Sequence, residues 1–354
     1  MSAEPTKFSD WVGDHMVANP GFWKRLGNLE SRFLADEISD IEIRSPVYIC
    51  GLARAGTTAV LEALASAKGV TSHHYSDFPY VFTPYWRNKV LDLTPGKSLI
   101  AEERSHKDGI SVTANSPEAI EEVLWMAFFD HLHDPEQNNV LDRTTENTAF
   151  ETFYNDHIRK LLLVRGAQRY LAKGNYNIAR MEYLLKIFPQ ARFVIVIRDP
   201  VEHVASLMRQ NKLFEEIEKA NPLALKHMRK VGHFEFGLDV RPLNFGDGCL
   251  EILELWGKGE MARGWAIYWT NVYRFVADSL AQNPQLADAT IVIKHRDLCD
   301  DAQGTIDRAA AHCLLEPGSA ALPGKPKSYD LSLDTGDVAA IREETADVAG
   351  MFSL

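Results

Sequence analysis

Hydrophobic positions along the chain follow two rhythms. Val47 to Cys50 and Phe193 to Ile197 are short, unbroken apolar runs, the pattern of strands buried on both faces, and Thr290 to Lys294 reads as another strand. Arg169 to Lys173 reads as a further strand, and Gly69 to Tyr75 holds a short one. Between these runs the period lengthens. Val60, Leu61 and Leu64 share one face of a helix that opens after Gly56, and helices are expected over Phe150 to Gly166, Ile178 to Phe188, about Gly257 to Asn283 and Leu298 to Leu314. Strands alternating with helices predict an α/β fold, a central parallel sheet with helices on both faces. Trp11, Phe22, Trp23, Leu26, Leu29 and Phe33 give residues 1 to 45 a partial helical period, which predicts a helical cover ahead of a single α/β domain over 46 to 354 that includes a C-terminal loop and helix. At Ser116 the pattern reads as a helix start. Ser116 would be the N-cap and Pro117 the first helical residue, with Glu118, Glu121 and Glu122 complementing the dipole.

Composition narrows the function classes. Among 354 residues, 38 Lys and Arg face 49 Asp and Glu, a formal net charge of -11, which argues against nucleic acid or acidic membranes as general partners. Any anion site must therefore be local. Cys50, Cys249, Cys299 and Cys313 are scattered without paired spacing, so neither zinc nor a disulfide framework is expected, and reduced thiols in a cytoplasmic protein fit best. No stretch is apolar for long enough to span a bilayer, and the first residues do not read as a secretory signal. Oligomeric state is left open.

Candidate chemistry begins where the first strand ends. Gly51 to Thr58, Gly-Leu-Ala-Arg-Ala-Gly-Thr-Thr, has the spacing of a phosphate-binding loop, G-x-x-x-x-G-K-[ST], with Thr57 in the lysine position and Arg54 as a cation inside the loop. Backbone N–H groups of such a turn and of the following helix converge on one concavity, where the helix dipole also favours an anion. Without the lysine a triphosphate lacks its usual partner, so the ligand should carry a different arrangement of charge. A second anion site is predicted about 140 residues later, where Arg198 closes a buried strand, Asp199 and Pro200 open a helix, and Ser206 follows two turns on. Two separated sites at one sheet edge suit a ligand with two separated phosphate-like groups.

The loop from Gly51, together with Phe-Pro-Gln-Ala-Arg-Phe-Val-Ile-Val-Ile-Arg-Asp-Pro-Val-Glu-His-Val-Ala-Ser from Phe188, resembles the paired signature of sulfotransferases that use 3'-phosphoadenosine 5'-phosphosulfate (PAPS). The resemblance runs from about Pro46 to Leu314 and implies sulfuryl transfer from PAPS to a hydroxyl acceptor, with adenosine 3',5'-bisphosphate (PAP) as the spent donor and no metal. It implies that Arg54, Ala55, Gly56, Thr57 and Thr58 hold the 5' group and that Arg198 and Ser206 hold the 3'-phosphate. Lys173 matches a lysine that relatives carry on an upstream strand, and Gly324 to Tyr329, with Lys327 and Ser328, matches a loop that closes over the nucleotide. His295 to Leu298 stands where many members have a structural Tyr-Glu-Asp-Leu. Relatives place their general base just after the helix that follows the loop. Here that position holds Asp77, with His74, His73 and then His106 as the next candidates, and Arg54 and Lys173 are expected to neutralise charge on the transferring group.

Phe78, Tyr80, Phe82, Tyr85 and Trp86 follow Asp77 and suit either stacking on a sugar or aromatic ring or core packing, so the acceptor is expected to be a carbohydrate, a glycan or a small hydroxylated metabolite. Two other readings stand beside this one: a P-loop kinase for a small hydroxyl compound, which the residue at Thr57 disfavours, and a non-catalytic nucleotide-binding scaffold of the same fold. Residues 213 to 250 mix helical charge runs with a stretch rich in Gly, Pro and Phe from Val231 on, and that second part is expected to fold as a loop near the active face.

Overall fold

A computed structural model describes residues 7–93, 102–103, 111–113, 116–246, 249–316 and 333–354. Its centre is a five-stranded sheet of β1 (Val47–Cys50), β2 (Val70–Thr71), β5 (Arg169–Lys173), β6 (Arg192–Ile197) and β7 (Thr290–Lys294); β3 (Glu102–Glu103) and β4 (Ser111–Val112) form a separate pair. Strand order is β2-β5-β1-β6-β7, with every neighbouring pair parallel. The α/β expectation holds.

The apolar runs lack alternation because both sheet faces are dry. Tyr48 and Cys50 enter one core while Val47 and Ile49 enter another, and β6 repeats the split with Phe193, Ile195 and Ile197 against Val194 and Val196. Successive strand side chains point to opposite faces, so each face takes every second residue. Helices Thr148–Arg165, Pro200–Ala220 and Met261–Gln282 supply the larger core through residues such as Tyr154, Leu207 and Trp269. Helices Thr57–Ala65 and Ala302–His312 cover the other face with Val60, Leu61, Leu64, Ile306 and Ala309.

Residues 7–39 form three helices, as the N-terminal pattern suggested. Val12, Met16 and Trp23 pack there on Phe82, Leu124 and Phe153. Beneath them Lys160 Nζ meets Glu30 Oε2 at 3.0 Å with both side chains fully buried, and the same ammonium donates to Gly27 O at 3.1 Å. Helix Thr335–Met351 closes the other end, burying Ile341 and Val348 in the main core.

Three helix limits differ from the pattern. Ile178 to Phe188 divides into a 3-10 turn, Asn175–Ala179, and helix Met181–Ile187, separated at the buried Arg180. Leu298 to Leu314 divides at Asp301, whose carboxylate accepts from Gly304 N at 3.0 Å and starts a new helix. Ser116 is not an N-cap. Segment 116–120 is held extended beside His73–Tyr75, Ser116 O accepting from Tyr75 N at 3.2 Å and Glu118 N donating to His73 O at 2.8 Å, and the helix begins at Glu122. Backbone pairing with a distant segment overrides the local start signal.

Candidate functional site

The carboxyl edge of the sheet gathers the predicted chemistry. β1 runs into the loop Gly51–Gly56, β5 ends at Lys173, β6 ends before Arg198, and β7 ends before His295. In open parallel sheets this edge is where ligands sit. The register supports the convergence, since Ile49 of β1 lies opposite Lys173 and Gly174 N donates back to Ile49 O at 3.0 Å.

The loop is shaped by backbone geometry that few residues tolerate. Gly51 has φ +143° and a Cβ there would lie 2.6 Å from Val196 O; Gly56 has φ +105° and its Cβ would meet His295 Cδ2 at 3.2 Å. Arg54 adopts φ +71°, a left-handed conformation uncommon outside glycine. Two tethers hold this shape. Tyr273 hydroxyl accepts from Leu52 N at 3.4 Å and donates to Val196 O at 3.0 Å, while His203 Nε2 donates to Ala53 O at 2.8 Å. Burial, helped by the charges of His295, Arg198 and Arg54, drives the His203 pKa down to about 3, so it is a neutral donor at pH 7. His203 belongs to the helix that Asp199 caps, and it therefore fastens the second predicted motif to the first.

Arg54, Thr57, Thr58 and Lys173 line one cavity of about 150 Å³. Helix Thr57–Ala65 starts at its wall, so the N–H groups of a first turn, which have no intrahelical partners, face the same space. Arg198 lies off this cavity, paired to Glu202 at 3.1 Å. The His295 pKa falls to about 4, chiefly through burial and further through the charges of Arg198 and Arg54. Ser206 is buried on the same helix and accepts from Arg209 at 3.4 Å. Ala55 and Gly56 lie within the loop itself. Lys327, Ser328 and His106 fall outside the described residues.

Of the expected bases, Asp77, His74 and His73 do not line this cavity. Asp77 is fully buried, and Arg165 donates to both of its oxygens at 2.8 and 2.7 Å, with His74 N at 2.9 Å, His73 Nδ1 at 3.2 Å and Asn88 Nδ2 at 3.3 Å completing the shell. Burial alone would raise its pKa, yet the His73 hydrogen bond and the Arg165 charge hold the carboxyl well below the usual range. A carboxylate so committed is a structural ion-pair partner. His74 opens with Arg165 onto a different cavity, and burial, with the Arg165 charge, lowers its pKa to about 4. His73 is buried between Asp77 and His157, its Nε2 2.9 Å from that of His157.

Other carboxylates line the cavity. Glu118, Glu121, Glu122 and Glu235 all line the Arg54–Lys173 cavity. Glu122 is bound by Arg180 at 2.8 and 2.6 Å and by His133 at 2.7 Å. Glu121 differs. Oε1 accepts from the Tyr154 hydroxyl at 2.7 Å and from Tyr170, while its buried Oε2 has no hydrogen-bond partner among the described residues. Burial raises the Glu121 pKa in spite of the His73 charge and the two hydroxyls. In the sequence Glu118, Glu121 and Glu122 pass for dipole complements of a helix start. The Gly232–Glu235 stretch also reaches the cavity, as the pattern of residues 213 to 250 suggested.

Among the described residues, no group of three or more His, Cys, Asp or Glu side chains is arranged to hold a metal, and no helix is long and apolar enough to cross a membrane. Comparison with solved structures gives a sulfotransferase, STF9 from Mycobacterium avium, at TM-score 0.50 and 14% identity, covering 92% of this chain and 81% of that one. STF1 from Mycobacterium tuberculosis H37Rv follows at TM-score 0.42 and 14% identity, covering 93% and 81%. At such identities the STF9 likeness speaks for the fold. No curated protein matches the sequence. The family model described as "Sulfotransferase family" matches residues 46–231, more than half of the chain and a span that includes the loop, Lys173, Arg198 and Ser206. The chain belongs to the sulfotransferase family.

Proposed function

We propose that the protein transfers a sulfuryl group from PAPS to a hydroxyl acceptor in the cytoplasm, within the cavity between the Gly51–Gly56 loop and Glu121. The observation that carries this is the convergence of Arg54, Thr57, Thr58 and Lys173 on one concavity that a carboxylate also lines. The donor supplies an activated sulfuryl group. The residues fit its charge: Arg54, Thr57, Thr58 and the first-turn N–H groups would hold the 5' end, and Arg198 with Ser206 the 3'-phosphate. The four cysteines are free thiols, as a reducing compartment keeps them.

Sulfuryl transfer, like phosphoryl transfer, needs positioning and charge stabilisation more than covalent help from the protein. Glu121 Oε2 takes the proton as the acceptor O–H bond breaks and the oxygen bonds to sulfur. The sulfur–oxygen bond to the departing phosphate breaks with its electron pair on that oxygen, where Lys173 and Arg54 stabilise the charge. Tyr154 and Tyr170 fix the carboxylate from behind, and burial, by raising its pKa, makes it a stronger base than an exposed glutamate.

Transfer of labelled sulfate from PAPS tests the reading. Wild type should label hydroxylated acceptors without added magnesium, and Glu121→Gln should lower turnover by roughly 10²- to 10⁴-fold. A variant within threefold of wild type would remove Glu121 as base. Stabilisation by ATP with magnesium and not by PAP would replace the sulfotransferase reading with a kinase.

A further inference from the structure

Part of the cavity lining is chemically unfinished. Four buried polar atoms there have no hydrogen-bond partner among the described residues: Glu121 Oε2, Asn175 Oδ1, Asn177 Nδ2 and Glu235 Oε2. Glu121 is 5% exposed, Asn175 9% and Asn177 2%, so bulk water does not satisfy them. A buried polar group without a partner is costly, and a cluster of them in one cavity marks where a ligand completes the bonding.

The orphan atoms define what the ligand must offer. Asn175 Nδ2 is spent on Glu235 Oε1 at 3.0 Å, which leaves its carbonyl oxygen as an acceptor. Three of the four orphans thus require donors and one, Asn177 Nδ2, requires an acceptor. A phenol or simple alcohol brings a single hydroxyl and would leave most of them unmet. A polyol meets all four.

Charge narrows the class further. Glu118, Glu121, Glu122 and Glu235 line the cavity against Arg54 and Lys173. Both cations stand at the loop end, where the donor's own negative charge occupies them. At the far wall Glu122 is matched by Arg180, but His227 offers no charge, because burial and then the Lys230 charge bring its pKa down to about 4. His233 Nδ1 stands 3.4 Å from Glu235 Oε2, within ion-pair distance. The wall is acidic, with Phe78, Ile120 and Phe214 as its apolar part, a surface for the C–H face of a ring.

Resting on the reading of this cavity as a sulfuryl-transfer site, we propose that the acceptor is a polyhydroxylated amine, of the amino sugar or aminocyclitol class. Its ammonium group pairs with Glu235 and Asn175, and a hydroxyl is presented to Glu121. Glu235 sets the preference for the amine and Asn177 binds a neighbouring ring oxygen.

Calorimetric binding in the presence of saturating PAP tests this without turnover. Glucosamine and an aminocyclitol should bind at least ~tenfold more tightly than glucose, the matching inositol and phenol, the ratio expected of a charge-assisted hydrogen bond. Glu235→Gln should still bind PAP and should bring the amine-to-hydroxyl ratio close to one. Equal or tighter binding of the neutral sugars or phenol overturns the proposal, as does a ratio that survives in Glu235→Gln or an absence of amine binding. Failure of wild type to bind PAP itself would instead refute the donor site, and the two failures are read in separate titrations.

Discussion

Replacing Asp77 separates a structural carboxylate from a catalytic one. Asp77 and Arg165 are 1% and 11% exposed at the side chain, and the guanidinium reaches both carboxylate oxygens at 2.8 and 2.7 Å. Asp77→Ala strands that cation in a nearly dry site and also removes the acceptor for His74 N and His73 Nδ1. Breaking a buried pair from one side costs about 3–5 kcal/mol, which is a third or more of the total for a protein near the middle of the usual range of about 5–15 kcal/mol. Asp77→Asn keeps an oxygen for His74 and should lose less. The pH dependence has a definite sign. Because the folded carboxyl titrates below its unfolded value of 3.8, the contribution is fully present above that value and is lost as pH falls through it toward the folded pKa. Urea unfolding at pH 7 and at pH 3 should therefore show a large deficit for Asp77→Ala at pH 7 that shrinks in acid, while turnover per folded molecule at low temperature stays near wild type. Wild-type stability combined with lost turnover would refute this and return Asp77 to the role of base.

The other expectations follow from single contacts. Arg198→Ala should weaken PAP binding at least ~tenfold by calorimetry, since a charge-assisted hydrogen bond contributes about 1.5–3 kcal/mol; unchanged affinity would place the 3'-phosphate elsewhere. Gly56→Ala forces a Cβ to 3.2 Å from His295 at φ +105°, and a strain of about 1–3 kcal/mol should appear as loosened PAP binding, with unaltered affinity arguing for a loop that adjusts freely. Lys160→Met leaves Glu30 alone at 0% exposure and should destabilise by about 3–5 kcal/mol at pH 7, which a double variant with Glu30→Leu should largely recover; no recovery would mean that the pair matters through packing alone. The Glu121 pKa is raised above the 4.5 of an ordinary glutamate, so turnover should rise with pH through a value above 4.5, a limb that Glu121→Gln removes and whose persistence would assign the titration to another group.

The central strands were legible because burial on both faces leaves almost no polar positions in them: Val47–Cys50 and Phe193–Ile197 stand where the apolar runs put them. The anion loop was legible for a local reason too, since glycines at 51 and 56 are required by positive φ and a clash-free approach to Val196 and His295. What depends on distant partners was not. Arg165 lies 88 residues from Asp77 in sequence, and nothing near Asp77 announces the guanidinium that claims it. Glu121 was hidden by the opposite effect, because Ser116-Pro117 before an acidic pair is locally a helix start. Only the backbone bonds of Tyr75 and Glu118 across to the neighbouring segment displace that start, and only Tyr154 and Tyr170, 33 and 49 residues away, turn the glutamate into a positioned carboxylate.

The central claim is that the Gly51–Gly56 loop, Lys173 and Arg198 form a donor site for a nucleotide bearing both a 3'-phosphate and a 5' sulfuryl group. Titration calorimetry of PAP without metal, on wild type, Arg54→Ala and Arg198→Ala, tests it most directly. One molecule should bind per chain, with affinity at least ~tenfold lower in each variant. Absence of binding, or binding that neither variant weakens, would contradict it.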